Sequence, residues 1–101
     1  MTLKFSELFG EKLGTRHVGA IAREILLKEI SEHQRVVFDF QGVKLVTNSF
    51  ADECFGKLLF IYSLDELRNK STFKNVDKDS EMIIHKAIKE RTANINKELV
   101  C

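Results

Sequence analysis

Residues 34–59 decide the fold of this chain, and they read QRVVFDFQGVKLVTNSFADECFGKLL. Residues 34–40 form a short run rich in β-branched and aromatic residues, which is typical of a strand buried on both faces. Gln41-Gly42 predicts a turn, and residues 43–46 predict a second brief extended segment. The triplet Thr47-Asn48-Ser49 then offers three residues suited to the N-cap of a helix. A strand, a turn and a helix in direct succession indicate an α/β fold.

Amphipathic helices are predicted both before and after this strand in the sequence. After Thr15, a suitable N-cap, apolar residues recur every three or four positions and indicate a first helix; they are Val18, Ile21, Ala22, Ile25, Leu26 and Ile30. Similar spacing predicts that the helix after the polar triplet continues to about Tyr62. A last helix begins at a cap supplied by Asp77 or Asp79, with an end that frays beyond about Asn94.

The remaining segments complete a small sheet. Residues 2–5 look extended, Gly10 and Gly14 bracket a turn, and the two lysines within residues 70–76 suit an exposed edge strand. The order of elements predicts a small mixed or mostly parallel sheet of about four strands, with about three helices packed on it. Because 101 residues with 44% hydrophobic content suffice for one core, a single domain is expected over residues 1–101.

Composition excludes several functional classes. A formal charge of +1 gives no broad attraction to nucleic acid or to an anionic membrane. No leader-like or membrane-spanning run is present, so a cytoplasmic location is expected. Cys54 and Cys101 are isolated, and His17, His33 and His85 are scattered, which predicts no metal site. The usual nucleotide, hydride-transfer, hydrolase and zinc-protease motifs are missing, so neither a cofactor nor enzymatic activity is expected.

Ser49 is the main candidate for a functional residue. A helix start favours an anion, so one interpretation places a phosphoserine there. Asp52 and Glu53 follow one turn later; as solvated charges they would repel a phosphate unless a cation from a partner intervened. The structural alternatives are that Ser49 opens a capping box with Asp52, or that Asn48 is the cap and Ser49 the first helical residue.

Several motifs resemble a known family. The segment 36–59, with LGTR at 13–16 and FKN at 73–75, resembles the bacterial STAS-like domains of unknown function, whose core reads as a DF-x-x-V strand followed by SFADE. More distantly, the chain is similar to the STAS domains of anti-sigma-factor antagonists. In those domains a serine at the start of a helix is phosphorylated by a serine kinase with a histidine-kinase-like ATPase fold. The resemblance implies that Ser49, ten residues after Asp39, occupies the phosphoacceptor position.

The sequence also departs from the antagonist pattern. Antagonists carry an acidic residue two places before the serine, where this chain has Thr47. They carry small, glycine-rich residues after it, where this chain has FADE at 50–53. The resemblance therefore predicts the fold of this chain more securely than it predicts a phosphorylation mechanism.

Two functional hypotheses follow. The resemblance implies a non-enzymatic regulatory module that docks on a histidine-kinase-like ATPase or serine kinase and is switched by phosphorylation at Ser49. Its partner-binding candidates surround that serine: Arg16, Thr47, Asn48, Phe50, Asp52 and Glu53. Arg16 contacts a phosphate or a partner in this hypothesis, and otherwise faces solvent or pairs with Glu11. The alternative is a self-associating structural or ligand-sensing domain, a homodimer formed through the strand near Phe73 or the last helix, in which Ser49 is only a helix cap.

Overall fold

The computed structural model describes the backbone of residues 1–100 and the side chains of residues 1–95. Short strands alternate with helices along the chain. The elements are β1 (Thr2–Lys4), α1 (Phe5–Phe9), β2 (Lys12–Leu13), α2 (Arg16–Glu32), β3 (Val36–Asp39), β4 (Leu45–Val46), α3 (Asn48–Cys54), a 3-10 helix (Gly56–Phe60), α4 (Leu64–Lys70), β5 (Ser71–Lys74) and α5 (Lys78–Val100).

The strands form two sheets in which every neighbouring pair is parallel. The larger sheet has the order β1-β3-β5, and Phe38 at its centre pairs with Leu3 on one side and Phe73 on the other. Parallel neighbours need long crossover connections, which α2 and α4 supply. The α/β class and the mostly parallel sheet are confirmed, and residues 71–74 do form an edge strand. The expectation of about four strands in one sheet is corrected to three strands plus a separate pair.

The amino-terminal region differs from the prediction. The expected turn between Gly10 and Gly14 contains β2, which pairs with β4 as a second sheet. Leu13 on β2 is completely buried, and Lys44 donates its backbone N–H to the Glu11 carbonyl at 2.8 Å. The extended segment predicted at residues 2–5 is confirmed as β1 over Thr2–Lys4, but Phe5 begins the helix α1, which was not predicted. Two-residue strands carry no alternation of apolar and polar residues, so their pairing could not be predicted from pattern.

The helices are partly as expected. Thr15 is the N-cap of α2, because its hydroxyl accepts a hydrogen bond from the Val18 N–H at 3.1 Å. The second predicted helix does not continue to Tyr62: α3 ends at Cys54, and a 3-10 helix follows. Apolar spacing of three to four residues is compatible with both helix types, so it could not locate this change.

The last helix is capped by Asp77, whose carboxylate accepts a hydrogen bond from the Ser80 N–H at 2.7 Å. The helix α5 extends to Val100. The prediction of a frayed end concerns residues whose side chains lie outside the described part of the chain. None of the described helices is long and apolar enough to cross a membrane.

Aromatic rings fill the core between the larger sheet and the helices. Phe5 stacks on Phe40 with ring centroids 4.5 Å apart, and Phe55 lies within 5.9 Å of both Phe5 and Phe38. Cys54 is completely buried beside them, and this burial raises the pKa of its thiol. One face of α3 is buried in this core through Phe50, Ala51 and Cys54, whereas Asn48 at the start of the helix is exposed.

Candidate functional site

The start of α3 is set by Thr47. Its backbone N–H donates to the Leu13 carbonyl at 3.0 Å, so the contact between β4 and β2 continues to this residue. Its hydroxyl accepts a hydrogen bond from the Phe50 N–H at 3.2 Å, which makes Thr47 the N-cap. Both sequence interpretations, with Ser49 or Asn48 as the cap, are therefore wrong. Tertiary pairing of β4 decides which member of the polar triplet begins the helix.

Ser49 is the second residue of α3 and is half-buried. Within the described residues, no group forms a hydrogen bond with its hydroxyl. The residue lines a surface cleft of about 390 Å³ formed by α2, α3 and α5. The charged side chains of this cleft are Arg16, Asp52, Lys86, Glu90 and Arg91.

Asp52 lies beside Ser49 in the cleft and is bound by two arginines. Arg91 donates through Nε to Oδ1 at 2.8 Å and through Nη2 to Oδ2 at 2.9 Å, while Arg16 donates to Oδ2 at 2.9 Å. These contacts, chiefly the hydrogen bond from Arg91, lower the pKa of the Asp52 carboxyl to about 2. Asp52 thus joins α3 to both α2 and α5, and the expectation of a solvated charge is wrong.

Glu53 faces the interior between α2 and α3, with its side chain 10% exposed. Arg23 donates to Oε2 at 2.7 Å, Lys57 donates to the same oxygen at 2.9 Å, and Arg16 approaches Oε1 at 3.4 Å. The hydrogen bonds from Arg23 and then Lys57 lower the pKa of the Glu53 carboxyl to about 2. Glu53 is therefore a second structural carboxylate, and not a solvated charge.

Two glycines allow these contacts. A Cβ atom on Gly19 of α2 would lie 2.9 Å from the Cβ of Glu53 and 3.1 Å from the Phe50 carbonyl oxygen. A Cβ atom on Gly56 would lie 2.9 Å from both the Arg91 Cγ and the Asp52 Oδ1. A larger residue at Gly19 would press on the Cβ of Glu53 and the backbone of Phe50 and so separate α2 from α3, whereas one at Gly56 would displace the paired side chains of Arg91 and Asp52. Both glycines thus leave the room in which the ion pairs form.

These six residues, Arg16, Arg23, Asp52, Glu53, Lys57 and Arg91, are called the α3 ion cluster below. Four cations surround two carboxylates, so the cluster carries an excess of positive charge. The expectation that the two carboxylates would repel a phosphate at Ser49 was made for solvated charges, and neither carboxylate is one. Their charges are already compensated by cations of the same chain. Arg16 does not pair with Glu11, which contacts Lys44 at 3.3 Å instead.

The structure separates the predicted partner-binding residues into two groups. Arg16, Asn48 and Asp52 line the cleft with Ser49, and Thr47 is half-buried next to it. Phe50 is completely buried and Glu53 is 8% exposed, so neither lies on a docking surface. The reason is helical geometry: successive residues project about 100° apart, so Phe50 and Glu53 point into the molecule when Ser49 and Asp52 point outward.

Sequence reasoning missed three cations of the cluster. Lys57 follows Glu53 by four residues, a spacing at which opposite charges meet on a helix, so a signal for that pair was present. Arg23 and Arg91 are separated from their carboxylate partners by 30 and 39 residues. No local pattern indicates contacts of that range, and only the packing of α2 and α5 on α3 creates them.

Asp39, which the family resemblance places ten residues before Ser49, has a structural role. Its Oδ1 accepts hydrogen bonds from the Gln41 N–H at 3.0 Å and from the Asn75 side chain at 2.9 Å. The contact from Asn75, followed by that from Gln41, lowers the pKa of the Asp39 carboxyl. Asp39 thus fixes the turn after β3 and the end of β5, and it supports the loop that leads to Ser49.

A group of potential metal ligands also occurs near the end of α2. Ligand atoms of Glu29, Glu32 and His33 lie within 4.8 Å of one another. The Glu29 carboxylate already pairs with the Nε2 of His33 at 3.0 Å, and Glu32 and His33 are exposed. Such surface groups are common on helices, so this cluster indicates no metal centre.

The cap geometry predicts different effects of two neighbouring substitutions. Thr47→Ala removes the acceptor for the Phe50 N–H and should lower the free energy of unfolding by about 0.5–2 kcal/mol. Ser49→Ala removes no hydrogen bond seen here and should change that free energy by less than about 0.5 kcal/mol. Urea denaturation followed by circular dichroism measures both. A larger loss for Ser49→Ala than for Thr47→Ala would contradict the assignment of the cap.

The ion cluster predicts a pH dependence of stability. The Asp52 and Glu53 carboxyls have pKa values of about 2, below their ordinary values of 3.8 and 4.5. The unfolded chain therefore binds more protons at acidic pH, so this stabilisation is present above the ordinary values and is lost as pH falls towards about 2. Glu53→Gln should cost about 1–3 kcal/mol at neutral pH, since it weakens hydrogen bonds to a charged group.

The cost of Glu53→Gln should shrink steadily as the pH is lowered. Urea denaturation at a series of pH values, with the exposed Glu24→Gln as the control, measures this difference. A cost that is the same at neutral and acidic pH would show that the charge of Glu53 does not stabilise the fold.

Comparison with known proteins agrees with this architecture. The family described as a STAS-like domain of unknown function matches residues 19–81, which is more than half of the chain. The matched segment contains Ser49, Asp52 and Glu53, whereas Arg16 and Arg91 lie outside it. No curated protein and no solved structure gives a significant match. On the strength of the family match and the mostly parallel α/β fold, the chain belongs to the family of STAS-like domains of unknown function.

Proposed function

We propose that this chain is a cytoplasmic, non-enzymatic interaction module that docks on a protein partner through the cleft around Ser49, and that phosphorylation of Ser49 switches the docking. The observation that carries the proposal is the position of the Ser49 hydroxyl in a cleft whose walls include Arg16, Lys86 and Arg91. A phosphate is well accommodated where arginines can donate paired hydrogen bonds.

A phosphate at Ser49 would change the charge of this face. It adds between about 1.5 and 2 negative charges and three acceptor oxygens at neutral pH. Arg16 is the more exposed of the two arginines on Asp52, with 55% of its side chain accessible against 23% for Arg91. We expect Arg16 to turn towards the phosphate while Arg91 continues to hold Asp52. A partner that docks on the unmodified cleft would then meet an additional anionic group and dissociate.

The proposed partner is a histidine-kinase-like ATPase or another serine kinase, as the resemblance to anti-sigma-factor antagonists implies. In the transfer, the Ser49 oxygen attacks the γ-phosphorus of ATP, and the bond between that phosphorus and the bridging oxygen breaks. ADP leaves, and a base of the kinase accepts the hydroxyl proton. Ser49 needs to be reachable for this step, and its place on the cleft wall supports that.

The non-enzymatic part of the proposal is supported by the state of the carboxylates. A general base near neutral pH works best with a pKa close to the working pH. The carboxyls of Asp52 and Glu53 have pKa values of about 2 and are engaged by cations. The buried Cys54 has a raised pKa and is a poor nucleophile.

Intact-mass analysis of the protein from its own host, with fragmentation, tests the modification. We expect the mass of one phosphate on Ser49 and none in Ser49→Ala. For docking, the isolated partner should bind Ser49→Ala as tightly as the unmodified protein and bind Ser49→Asp at least about tenfold more weakly, a change of 1.4 kcal/mol. Ser31 is an exposed serine on α2, outside the cleft, so Ser31→Asp is the matched control. Equal binding by Ser49→Asp and Ser31→Asp would contradict the switch.

Self-association remains a second candidate, and the position of β5 favours it. β5 is an edge strand, and its Phe73 is 40% exposed. Pairing through such an edge would bury this ring and complete the hydrogen bonding of the strand. Sedimentation at micromolar concentrations should then show a dimer that Phe73→Ser weakens and that Met82→Ser, at the exposed Met82 of α5, leaves intact. A strictly monomeric chain would exclude this candidate.

A further inference from the structure

A second and larger cavity lies on another side of the molecule, between α4, β5 and α5. Its volume is about 710 Å³, which falls in the range of about 300–1,000 Å³ typical of small-molecule sites. It shares no lining residue with the cleft at Ser49. What binds there is therefore a separate question from the proposed docking function.

The interior of this cavity is apolar and reaches the core. Phe38 and Phe55, each 1% exposed, form part of its wall, and the half-exposed ring of Phe73 lies 5.3 Å from both of their ring centroids. Other apolar side chains complete the wall: Leu58, Leu64, Leu67 and Ile88. A ligand placed here would remove a partly exposed aromatic ring from water, which favours an apolar body.

The charged residues around the cavity all have the same sign. Arg35, Arg68 and Lys89 line it, and none of the described lining residues is acidic. Arg35 uses Nη1 to donate to the Asn69 carbonyl at 3.2 Å, which holds its guanidinium near the cavity. Arg68 has only a long contact with Asp65, at 3.9 Å, and 69% of its side chain is exposed. This arrangement complements an anion at the mouth of an apolar space.

Two hydroxyl groups of the lining, those of Ser71 and Thr92, are occupied by the protein itself, while Thr72 and His85 add two further polar side chains. The Ser71 hydroxyl donates to the Leu67 carbonyl at 2.6 Å, and the Thr92 hydroxyl donates to the Ile88 carbonyl at 2.9 Å. They therefore offer little specific recognition to a polar body such as a sugar or a nucleobase. Recognition should rest on apolar contact inside and on charge at the mouth.

From these contacts we infer that the cavity binds an amphipathic organic anion, namely a fatty-acid carboxylate, with its alkyl chain between β5 and α5 and its head group at Arg35, Arg68 and Lys89. An alkyl chain fits an apolar space that offers few hydrogen-bonding groups. A carboxylate matches the planar donors of arginine. A neutral or cationic head group would form no ion pair with these three basic side chains.

Isothermal titration calorimetry with the full chain tests the inference, using decanoate as the probe below its micelle concentration. Decanol and decyltrimethylammonium share its alkyl chain and differ in head-group charge. Decanoate should bind at least about tenfold more tightly than either. Equal affinities for the three probes, or no binding of decanoate, would overturn the inference.

Two variants locate the site. Ala93 is exposed and lines the cavity, so Ala93→Trp should fill the space and weaken decanoate binding at least about tenfold. Its control is Ile21→Trp, at an exposed apolar position of α2 outside the cavity, which should bind normally. Arg68→Gln alters an exposed side chain that the fold does not need, and it should weaken decanoate but not decanol. Unchanged decanoate binding in both Ala93→Trp and Arg68→Gln would overturn the assignment. A dimer formed through β5 that covers Phe73 and prevents decanoate from binding would also overturn it.

Discussion

Two adjacent carboxylates on α3, Asp52 and Glu53, join the helices of this protein. Asp52 is bound by Arg91 of α5 and Arg16 of α2, and Glu53 by Arg23 of α2. Each helix packs its apolar side on the core, but apolar contact is not directional and tolerates small shifts of one helix along another. Paired hydrogen bonds between arginine and carboxylate tolerate much less. The ion pairs thus specify how α2 and α5 lie on α3.

The placement of these charges has a cost that the structure offsets. Removing a carboxylate from water is unfavourable unless hydrogen bonds replace the lost hydration. Glu53, with 10% of its side chain exposed, receives hydrogen bonds from Arg23 and Lys57, and no buried side-chain polar atom among the described residues lacks a partner. Gly19 contributes by allowing α2 to approach closely enough for these contacts.

The same cluster shapes the surface that surrounds Ser49. Three cations and two carboxylates line the neighbouring cleft: Arg16 and Arg91 bind Asp52, and Lys86 lies 4.0 Å from Glu90. The larger cavity is bounded by different faces of the same helix α5, on which Arg91 faces one opening and Lys89 the other. Basic side chains therefore line both openings. Arg16 and Arg91 lie outside the segment that the family matches, whereas Arg35 and Arg68 lie inside it.

The sequence by itself determined the features that depend on residues close together along the chain. A strand within residues 34–40, the helix α2 with Thr15 as its cap, and a last helix capped by Asp77 or Asp79 were predicted, because β-branched runs, apolar periodicity and capping residues act over a few positions. Only the tertiary structure decided that β2 and β4 form a second sheet, that Thr47 and not Ser49 caps α3, and that Asp52 and Glu53 are paired. These features depend on contacts between residues about 30 or more positions apart. Packing brings such residues within hydrogen-bonding distance, and no short sequence pattern indicates which ones will meet.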